Sequence, residues 1–121
     1  MNRVALITGA TRGIGRSIAM QLGKSGYIVV VNGTKQVLID EVVREIRQAG
    51  GEALGYAANV ADPVAVTAMV GEVIARYGRI EVLIANAGIV QDQKCQRMTD
   101  EQWKTVLDVH LNGTYYCIQR V

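Results

Sequence analysis

Short runs of apolar residues alternate with longer segments of helical periodicity along the whole chain. Four runs have the continuous apolar character of strands that are covered on both faces: Val4–Thr8, Tyr27–Asn32, Ala53–Ala58 and Ile80–Ile84. Segments between them have apolar residues at every third or fourth position and predict helices: one from Gly13, one over Gln36–Ala49 and one from Asp62 to Gly78. This alternation predicts an α/β protein with a doubly wound, parallel sheet.

The apolar positions also predict which face of each helix is buried. The first helix has one apolar face formed by Ile14, Ile18 and Leu22. The helix after Asp62 has a longer stripe: Val66, Met69, Val70, Val73, Ile74 and Tyr77. A last helix begins at a capping box of Thr99 and Gln102 and has one face formed by Trp103, Val106, Leu107 and His110. We expect these faces to pack in the core.

The connection between the first strand and the first helix is rich in glycine. It reads Thr8-Gly9-Ala10-Thr11-Arg12-Gly13-Ile14-Gly15. Gly9 would permit a tight reversal, Gly13 would let backbone N–H groups approach a phosphate, and Gly15 would let the helix and strand pack closely. The helix N-terminus adds N–H donors and about half a positive charge. The turn predicts a pyrophosphate-binding site, with a tight connection that binds nothing as the alternative.

Composition and charge restrict the class of protein. The 121 residues are 50% apolar and include 13 glycines and one proline, which suits a single compact domain over residues 1–121 without a linker. Lys and Arg outnumber Asp and Glu by only 13 to 11 and are interspersed, so we expect neither nucleic acid nor a membrane surface as a partner. Cys95 and Cys117 are predicted to be free thiols, and no spacing predicts a metal site.

Targeting signals are not evident in the sequence. The longest apolar run, Tyr27–Val31, is far shorter than a membrane span, and the first strand begins too near Met1 for a signal peptide. We therefore expect a soluble, cytoplasmic protein.

Two further motifs follow the third and fourth predicted strands. Asn59-Val60 comes after the third, and Ala85-Asn86-Ala87-Gly88 comes after the fourth. Together with the glycine-rich turn, in this order, they make the chain resemble the short-chain dehydrogenase/reductase family. The resemblance implies a Rossmann-like fold with about four strands and flanking helices, which is incomplete because the chain corresponds to the N-terminal half of a family member. It also implies a nicotinamide dinucleotide as cofactor.

The resemblance assigns roles to the residues of these motifs. Asn59 would reach the adenine edge and Val60 would pack on the ring. Asn86 and Gly88 would shape the loop under the nicotinamide-side ribose, with a tie between neighbouring strands as the alternative for Asn86. The complete set of residues expected to bind the cofactor is Gly9, Thr11, Arg12, Gly13, Ile14, Gly15, Thr34, Lys35, Asn59, Val60, Asn86, Ala87 and Gly88.

The residues after the second strand predict which dinucleotide binds. A carboxylate there would bind the ribose 2′-hydroxyl of NAD, whereas a 2′-phosphate requires cations. The chain has Asn32-Gly33-Thr34-Lys35, with no carboxylate before Asp40, and family members that use NADP often have a basic residue at the position of Arg12. We expect NADP(H) rather than NAD(H). The alternative is that Arg12 and Lys35 are ordinary solvated charges.

The family's catalytic residues are only partly matched. Members use a serine and a Tyr-x-x-x-Lys pair, but Tyr115 and Tyr116 are followed four residues later by Gln119 and Arg120. The chain therefore lacks the C-terminal catalytic part and is expected to be inactive alone, and to be either less stable than a whole member or oligomeric.

A fourth participant in family members is an asparagine in the long helix, which maintains a proton relay. His110 occupies that position in this chain. A histidine can donate and accept protons near neutral pH, so it could serve in the relay. The alternative is a buried, hydrogen-bonded structural histidine.

Three functional hypotheses follow. In the first, the chain is part of an NADP(H)-dependent oxidoreductase that moves hydride between the nicotinamide and a ketone or secondary alcohol. The segments Gly88–Asp92 and Met98–Trp103 resemble those of 3-oxoacyl-acyl-carrier-protein reductases, so a 3-oxoacyl thioester of fatty acid biosynthesis could be the substrate. In the second, the chain binds a dinucleotide without turnover. In the third, it is an interaction fragment without cofactor affinity that associates with a full-length homologue through the long last helix. That helix often helps to build the subunit interface in the family, so the resemblance also implies a homo-oligomer through it.

Overall fold

The computed structural model describes residues 2–87 and 99–121, so Gly88 and Cys95, and the sequence predictions that fall on residues 88–98, lie outside the described residues. Strands and helices alternate as predicted. Their bounds are β1 Val4–Ile7, α1 Gly13–Lys24, β2 Ile28–Gly33, α2 Gln36–Gln48, β3 Glu52–Ala57, α3 Pro63–Tyr77, β4 Val82–Ile84, α4 Asp100–Leu107, a π-helical turn Asp108–Asn112 and α5 Gly113–Arg120. The predicted strands are confirmed to within two residues.

The described strands form one parallel sheet in the order β3-β2-β1-β4. The chain first moves outward from β1 through β2 to β3 and then returns to place β4 on the other side of β1. In register, Val4 of β1 lies opposite Ile28 of β2, and Ala5 lies opposite Val82 of β4. The order reverses between β1 and β4, and in open α/β sheets a ligand binds beyond the carboxyl ends of the strands at such a point.

Helices cover both faces of the sheet, which explains the continuous apolar runs of its strands. Ala5 and Ile7 of β1 pack with α1 and α2 on one face, and Val4 and Leu6 pack with α3 and α5 on the other. The first cluster also contains Ala19, Val29, Val31, Ile39, Val42, Val43 and Ile46. The second also contains Val30, Val60, Val66, Met69, Val70, Val73 and Cys117. Two buried layers of this kind confirm the predicted Rossmann-like arrangement.

The predicted inner face of α1 needs a correction. Ile14 is 73% exposed, and the fully buried residues of this helix are Gly15, Ala19 and Gly23. A Cβ at Gly23 would lie 2.9 Å from Cγ2 of Ile46, so α1 and α2 approach through small residues, with Ile18 and Leu22 only partly buried beside them. In α3 the prediction is confirmed for the four buried residues Val66, Met69, Val70 and Val73, but Ile74 is exposed and its burial was predicted wrongly.

The last helix buries less of its apolar face than the sequence predicts. Only Gly113 and Cys117 of α5 are buried, and no residue of α4 is. Trp103 is 57% exposed, so its packing in the core was predicted wrongly. The helix is attached to α3, where Arg120 Nε donates to Oγ1 of Thr67 at 2.6 Å. Within residues 2–87 and 99–121, none of the helices has the length and apolar character to cross a membrane.

Candidate cofactor site

The glycine-rich turn joins β1 to α1 at the carboxyl edge of the sheet. Gly9 and Gly13 have φ angles of 62° and 57°, in the left-handed region that glycine adopts most easily. A Cβ at Gly9 would lie 2.7 Å from the Cα of Ala87, whereas a Cβ at Gly13 would have no atom within 4 Å. A Cβ at Gly15 would collide with the carbonyl oxygen of Gly9. Two of the glycines therefore permit close packing, and Gly13 faces open space.

The loop after β4 is tied to this turn by hydrogen bonds. The backbone N–H groups of Asn86 and Ala87 both donate to Oγ1 of the buried Thr8, each at 2.9 Å. The Nδ2 group of Asn86 donates to the carbonyl oxygen of Gly9 at 3.1 Å. This side-chain bond joins the loop after β4 to the turn after β1, as the strand-tying alternative for Asn86 expects, and the role of Asn86 beside the ribose stays a prediction. Thr8 was missed as a member of the site, although a hydroxyl that ends an apolar strand was a signal for it.

The N-terminus of α1 has no side-chain cap. Its N-cap residue, Arg12, makes no capping hydrogen bond, and no acidic residue lies in the first turn. By contrast, Asp62 caps α3 by accepting from the N–H groups of Val64 and Ala65, and a capping box closes the start of α4. Backbone donors at the start of α1 are therefore available to an anion, and the open space at Gly13 gives an anion room to approach.

The second uncapped helix, α2, begins beside this turn. Cγ2 of Thr11 lies 2.7 Å from the position of a Cβ on Gly33, so the turn and the end of β2 are in close contact. Lys35 is the N-cap residue of α2, makes no capping bond and is exposed. Asp40, the first carboxylate after β2, accepts a hydrogen bond from Nε2 of Gln36 at 2.7 Å. The start of α2 thus combines free backbone donors with a cation.

Asn32, at the end of β2, is a structural residue that the sequence did not identify. It is 1% exposed, and its Nδ2 group donates to the carbonyl oxygens of Tyr56 and Ala58 at 3.2 and 3.1 Å. These bonds join the carboxyl ends of β2 and β3. A polar residue at the end of an otherwise apolar run is the signal that could have identified it.

The residues after β3 correct the role predicted for Val60. Its side chain is 4% exposed and belongs to the core cluster, and its Cγ2 lies 2.7 Å from the position of a Cβ on Gly113. This side chain packs against α5 and is not available to stack on a base. Asn59 is exposed, and its Oδ1 accepts from the N–H of Ala61 at 3.0 Å. Asn59 is thus the polar side chain at this end of β3.

His110 lies on the π-helical turn between α4 and α5. The turn is formed where the N–H of Gly113 donates to the carbonyl oxygen of Asp108, five residues earlier. The carbonyl oxygen of His110 accepts from Oγ1 of Thr114 at 2.7 Å. His110 is exposed in the described chain, so the burial that the structural alternative expected is contradicted, while its part in proton transfer stays a prediction. Of the tyrosines on α5, Tyr115 is 57% exposed, and it packs edge-on against Tyr116.

Other features do not point to a second kind of chemistry. Within residues 2–87 and 99–121, no three His, Cys, Asp or Glu side chains are grouped closely enough to hold a metal ion. Burial raises the pKa of the Cys117 thiol, and the nearby Arg120 only partly opposes this effect, so the thiol stays protonated and inert. A surface cleft lined by Gly23, Arg47 and Gly51, among others, lies at the amino edge of the sheet and contains none of the predicted site residues.

The family of the chain follows from its match to a family model. The family model described as short chain dehydrogenase matches residues 3–121. The chain belongs to the short-chain dehydrogenase family. This confirms the resemblance that the glycine-rich turn, Asn59-Val60 and the motif at Asn86 indicated.

Individual members of the short-chain dehydrogenase family agree with this assignment. The chain is 46% identical to a 3-oxoacyl-[acyl-carrier-protein] reductase of Staphylococcus aureus and 42% identical to one of Synechocystis, with 99% and 98% of this chain covered. It spans about half the length of these relatives, 49% in each case. A solved structure of a metagenomic short-chain oxidoreductase in complex with NADP superposes with a TM-score of 0.94 at 35% identity, over 98% of this chain and 54% of that one.

Proposed function

We propose that the chain binds NADP(H) at the carboxyl edge of its sheet, with the pyrophosphate at the N-terminus of α1. The observation that carries the proposal is the uncapped start of α1 beside the open space at Gly13. Backbone N–H donors without partners, together with the positive end of the helix dipole, fit a pyrophosphate well. The solved relative in complex with NADP supports the same cofactor for this chain.

The preference for NADP(H) over NAD(H) rests on the start of α2. Lys35 is exposed there, and the first turn of the helix contains no acidic residue. Arg12 is exposed in the neighbouring turn, next to Thr11, which contacts Gly33. A 2′-phosphate at this position would meet two cations and an uncapped helix end, whereas the ribose of NAD would find no carboxylate for its 2′-hydroxyl.

A titration with the two reduced cofactors tests this preference. Binding of NADPH and NADH is followed through the fluorescence of the reduced nicotinamide, which is the same group in both. We expect NADPH to bind at least about tenfold more tightly, since a charged hydrogen bond to the 2′-phosphate contributes about 1.5–3 kcal/mol. Equal affinities would rule out the preference.

A pair of lysine variants separates a local effect from a change in overall charge. Lys35→Gln should weaken NADPH binding by about tenfold and leave NADH binding nearly unchanged, because the proposed partner of this charge is the 2′-phosphate, which NADH lacks. Lys24→Gln, at the other end of α1, is the matched control. An equal loss of NADPH affinity in the two variants would show that net charge, and not Lys35, determines binding.

For the whole protein we propose NADP(H)-dependent hydride transfer to a ketone, with a 3-oxoacyl thioester as substrate. The names of the relatives support this substrate, and the Rossmann-like sheet with its uncapped α1 supports the cofactor. When bound, the nicotinamide supplies the hydride. The sequence of this chain contains no Tyr-x-x-x-Lys, so we expect the chain alone to bind NADPH without oxidising it in the presence of a 3-oxoacyl thioester. Turnover by the chain alone would contradict this expectation.

We also propose that His110 contributes to proton transfer in the whole protein. Its place on a π-helical turn supports this role, since such turns are frequent at functional sites. In a protein that carries this chain and has reductase activity, His110→Ala should lower kcat with little change in KM, and His110→Asn should restore most of the loss. Unchanged turnover in His110→Ala would exclude a relay through this side chain.

The partner that we propose for the last helix is a second copy of the chain. Five large apolar residues support it, because they are exposed along α4, the π-helical turn and α5: Trp103, Leu111, Tyr115, Ile118 and Val121. Sedimentation should show concentration-dependent association. The cytoplasmic location stays a prediction, which fractionation of cells that express the protein would check.

A further inference from the structure

The outer side of β3 is an open edge of the sheet. In the described chain, β3 pairs only with β2. The carbonyl oxygens of Tyr56 and Ala58 face β2, since both accept hydrogen bonds from Nδ2 of Asn32. Successive residues of a strand direct their backbone groups to opposite edges. The residues of β3 that direct their N–H and C=O groups outward are therefore Ala53, Gly55 and Ala57.

Arg47 occupies one end of this outer edge. It lies in the last turn of α2, and its Nη2 group donates to the carbonyl oxygen of Ala53 at 2.8 Å. This carbonyl is turned away from β2, so the bond takes up an acceptor that a further strand would use. Charged side chains protect the edge strands of many natural sheets. Arg47 has the position of such a protecting side chain.

The backbone groups along the outer edge fit a second copy of the same strand. If two copies pair antiparallel about a two-fold axis at Gly55, Ala53 of each copy lies opposite Ala57 of the other. Each pair can then exchange both of its N–H···O bonds, and no outward residue has a side chain larger than a methyl group. The half-buried Leu54 would lie opposite the half-buried Tyr56, an aliphatic–aromatic pair that stabilises sheets. The edge is therefore complementary to itself.

Helix α2 leaves room beside this edge. It packs on one face of β3, where Cγ2 of Val43 lies 3.3 Å from the position of a Cβ on Gly55. A cleft of about 430 Å³ opens on the flank of the helix, lined by Asp40, Val43, Arg44, Arg47 and Gln48. Because Val43 lies beside Gly55 and Arg47 reaches Ala53, the cleft follows the outer edge of β3. A second strand can approach there once Arg47 is withdrawn.

We propose that the outer edge of β3 is a docking surface for a second copy of this chain, and that Arg47 keeps it closed. The two-fold symmetry makes one arginine per chain sufficient. Each end of the paired strands needs the Ala53 carbonyl of one copy as an acceptor for Ala57 of the other, so Arg47 blocks both ends. This surface is separate from the last helix, and the inference does not rest on cofactor binding.

Sedimentation velocity of an arginine variant tests this closure. Every variant carries Ile118→Glu, which limits association through the last helix. Adding Arg47→Ala should strengthen self-association at least about tenfold, because the Ala53 carbonyl becomes available. Arg44→Ala is the matched control, since it removes the same charge from an exposed position one turn earlier and should leave association unchanged.

A proline and hydrogen exchange locate the contact between copies. Ala57→Pro removes an outward N–H and no bond to β2, so together with Arg47→Ala it should restore the weak association of the parent. The N–H groups of Gly55 and Ala57 should exchange rapidly in the parent and at least about tenfold more slowly in associated Arg47→Ala. A general loss of packing at Arg47 would not slow these two groups. Melting curves verify that each variant folds.

The results either support the closed edge or overturn it. If Arg47→Ala associates no more strongly than Arg44→Ala, then Arg47 does not close the edge and the proposal is wrong. If Arg47→Ala does associate but Ala57→Pro fails to reverse it, or the exchange of Gly55 and Ala57 stays rapid, the copies meet elsewhere and the proposal is equally wrong. Stronger association that the proline reverses, with slowed exchange at Gly55 and Ala57, is the expected result.

Discussion

Close packing and a positive φ angle are two separate reasons for glycine in the turn after β1, and substitutions at Gly15 and Gly13 should distinguish them. Gly15→Ala would place a Cβ against the carbonyl oxygen of Gly9, so we expect it to destabilise the chain by about 2–3 kcal/mol. Gly13→Ala meets no atom but keeps a φ of 57°, so its cost should be only about 1 kcal/mol. Urea unfolding of each variant measures these free energies.

Gly13→Ala should affect cofactor binding more than it affects stability. The Cβ of Gly13→Ala would occupy the open space where we propose that the pyrophosphate approaches, so NADPH affinity should fall at least about tenfold despite the small loss of stability. Gly71→Ala, on the exposed side of α3 with no atom near its Cβ, is the control and should stabilise the chain by about 0.5–1 kcal/mol. Unchanged NADPH affinity in Gly13→Ala would contradict the proposed position of the pyrophosphate.

At the residue scale, the sequence predicts where the backbone requires glycine better than it predicts whether a side chain faces the core or the site. Gly9 and Gly13 were predictable because only a positive φ or a close approach requires glycine. The direction of Val60 was not, since a single apolar residue after a strand can face either the core or the site. The contact that decides it comes from Gly113, which is distant in the sequence and reaches Val60 only through the packing of α5.

At the scale of elements, the start of α1 lacks the stabilising hydrogen bond that a capping side chain would provide. Arg12→Ser would place a hydroxyl at the N-cap position, and we expect this to stabilise the chain by about 1 kcal/mol. The same change removes a cation from the proposed phosphate site and should weaken NADPH by about tenfold. Urea unfolding and the NADPH titration give the two numbers. A variant that gains stability without losing affinity would show that the uncapped helix end is not used for binding.

A carboxylate adds to the backbone pairing that joins the short strand β4 to β1. Glu81 accepts from the N–H of Val4 at 2.6 Å and also forms an ion pair with Arg79. Chiefly this backbone bond, together with Arg79, lowers the pKa of Glu81 despite some desolvation. Because the pKa is lowered in the folded state, the stabilisation is complete above the pKa of the unfolded chain and is lost as the pH falls through the folded value.

The pH dependence of unfolding tests this role of Glu81. Below about pH 4.5, the ordinary value for this group, the free energy of unfolding should fall less steeply in Glu81→Gln than in the unmodified chain. Glu72→Gln, on the exposed surface of α3, is the control and should keep the slope of the unmodified chain. Identical slopes for Glu81→Gln and the unmodified chain would show that this carboxylate does not hold β4.

Elements were predictable wherever the apolar pattern is regular. In the strands the apolar residues are continuous, and in α3 they recur with helical spacing, so in each case a single secondary structure buries them. The observed bounds of these elements agree with the prediction to within about two residues. The exposed Ile14 and Trp103 show where this reasoning fails. A periodic pattern identifies an apolar face, but it does not show whether α1 meets α2 through small residues or whether anything covers α4.

At the scale of the whole molecule, the described chain leaves apolar surface uncovered along its last helix. It spans about half the length of the curated relatives that it matches. In the described part, β4 pairs only with β1, and the last helix attaches to α3 through one face. Its other face exposes Leu111 and Ile118, each by 63%, together with Trp103, the only tryptophan of the sequence. Exposed apolar surface of this kind favours association.

Charge placed on this face should prevent that association. We expect sedimentation velocity to show that the chain self-associates as its concentration rises, with Trp103 emission shifting toward the blue as the ring becomes buried. Ile118→Glu should weaken the association at least about tenfold, since a buried, unpaired carboxylate is costly. Gln119→Glu adds the same charge at the next, also exposed residue and should associate normally. If the chain is monomeric at every concentration, or if both variants behave alike, the last helix is not the contact between copies.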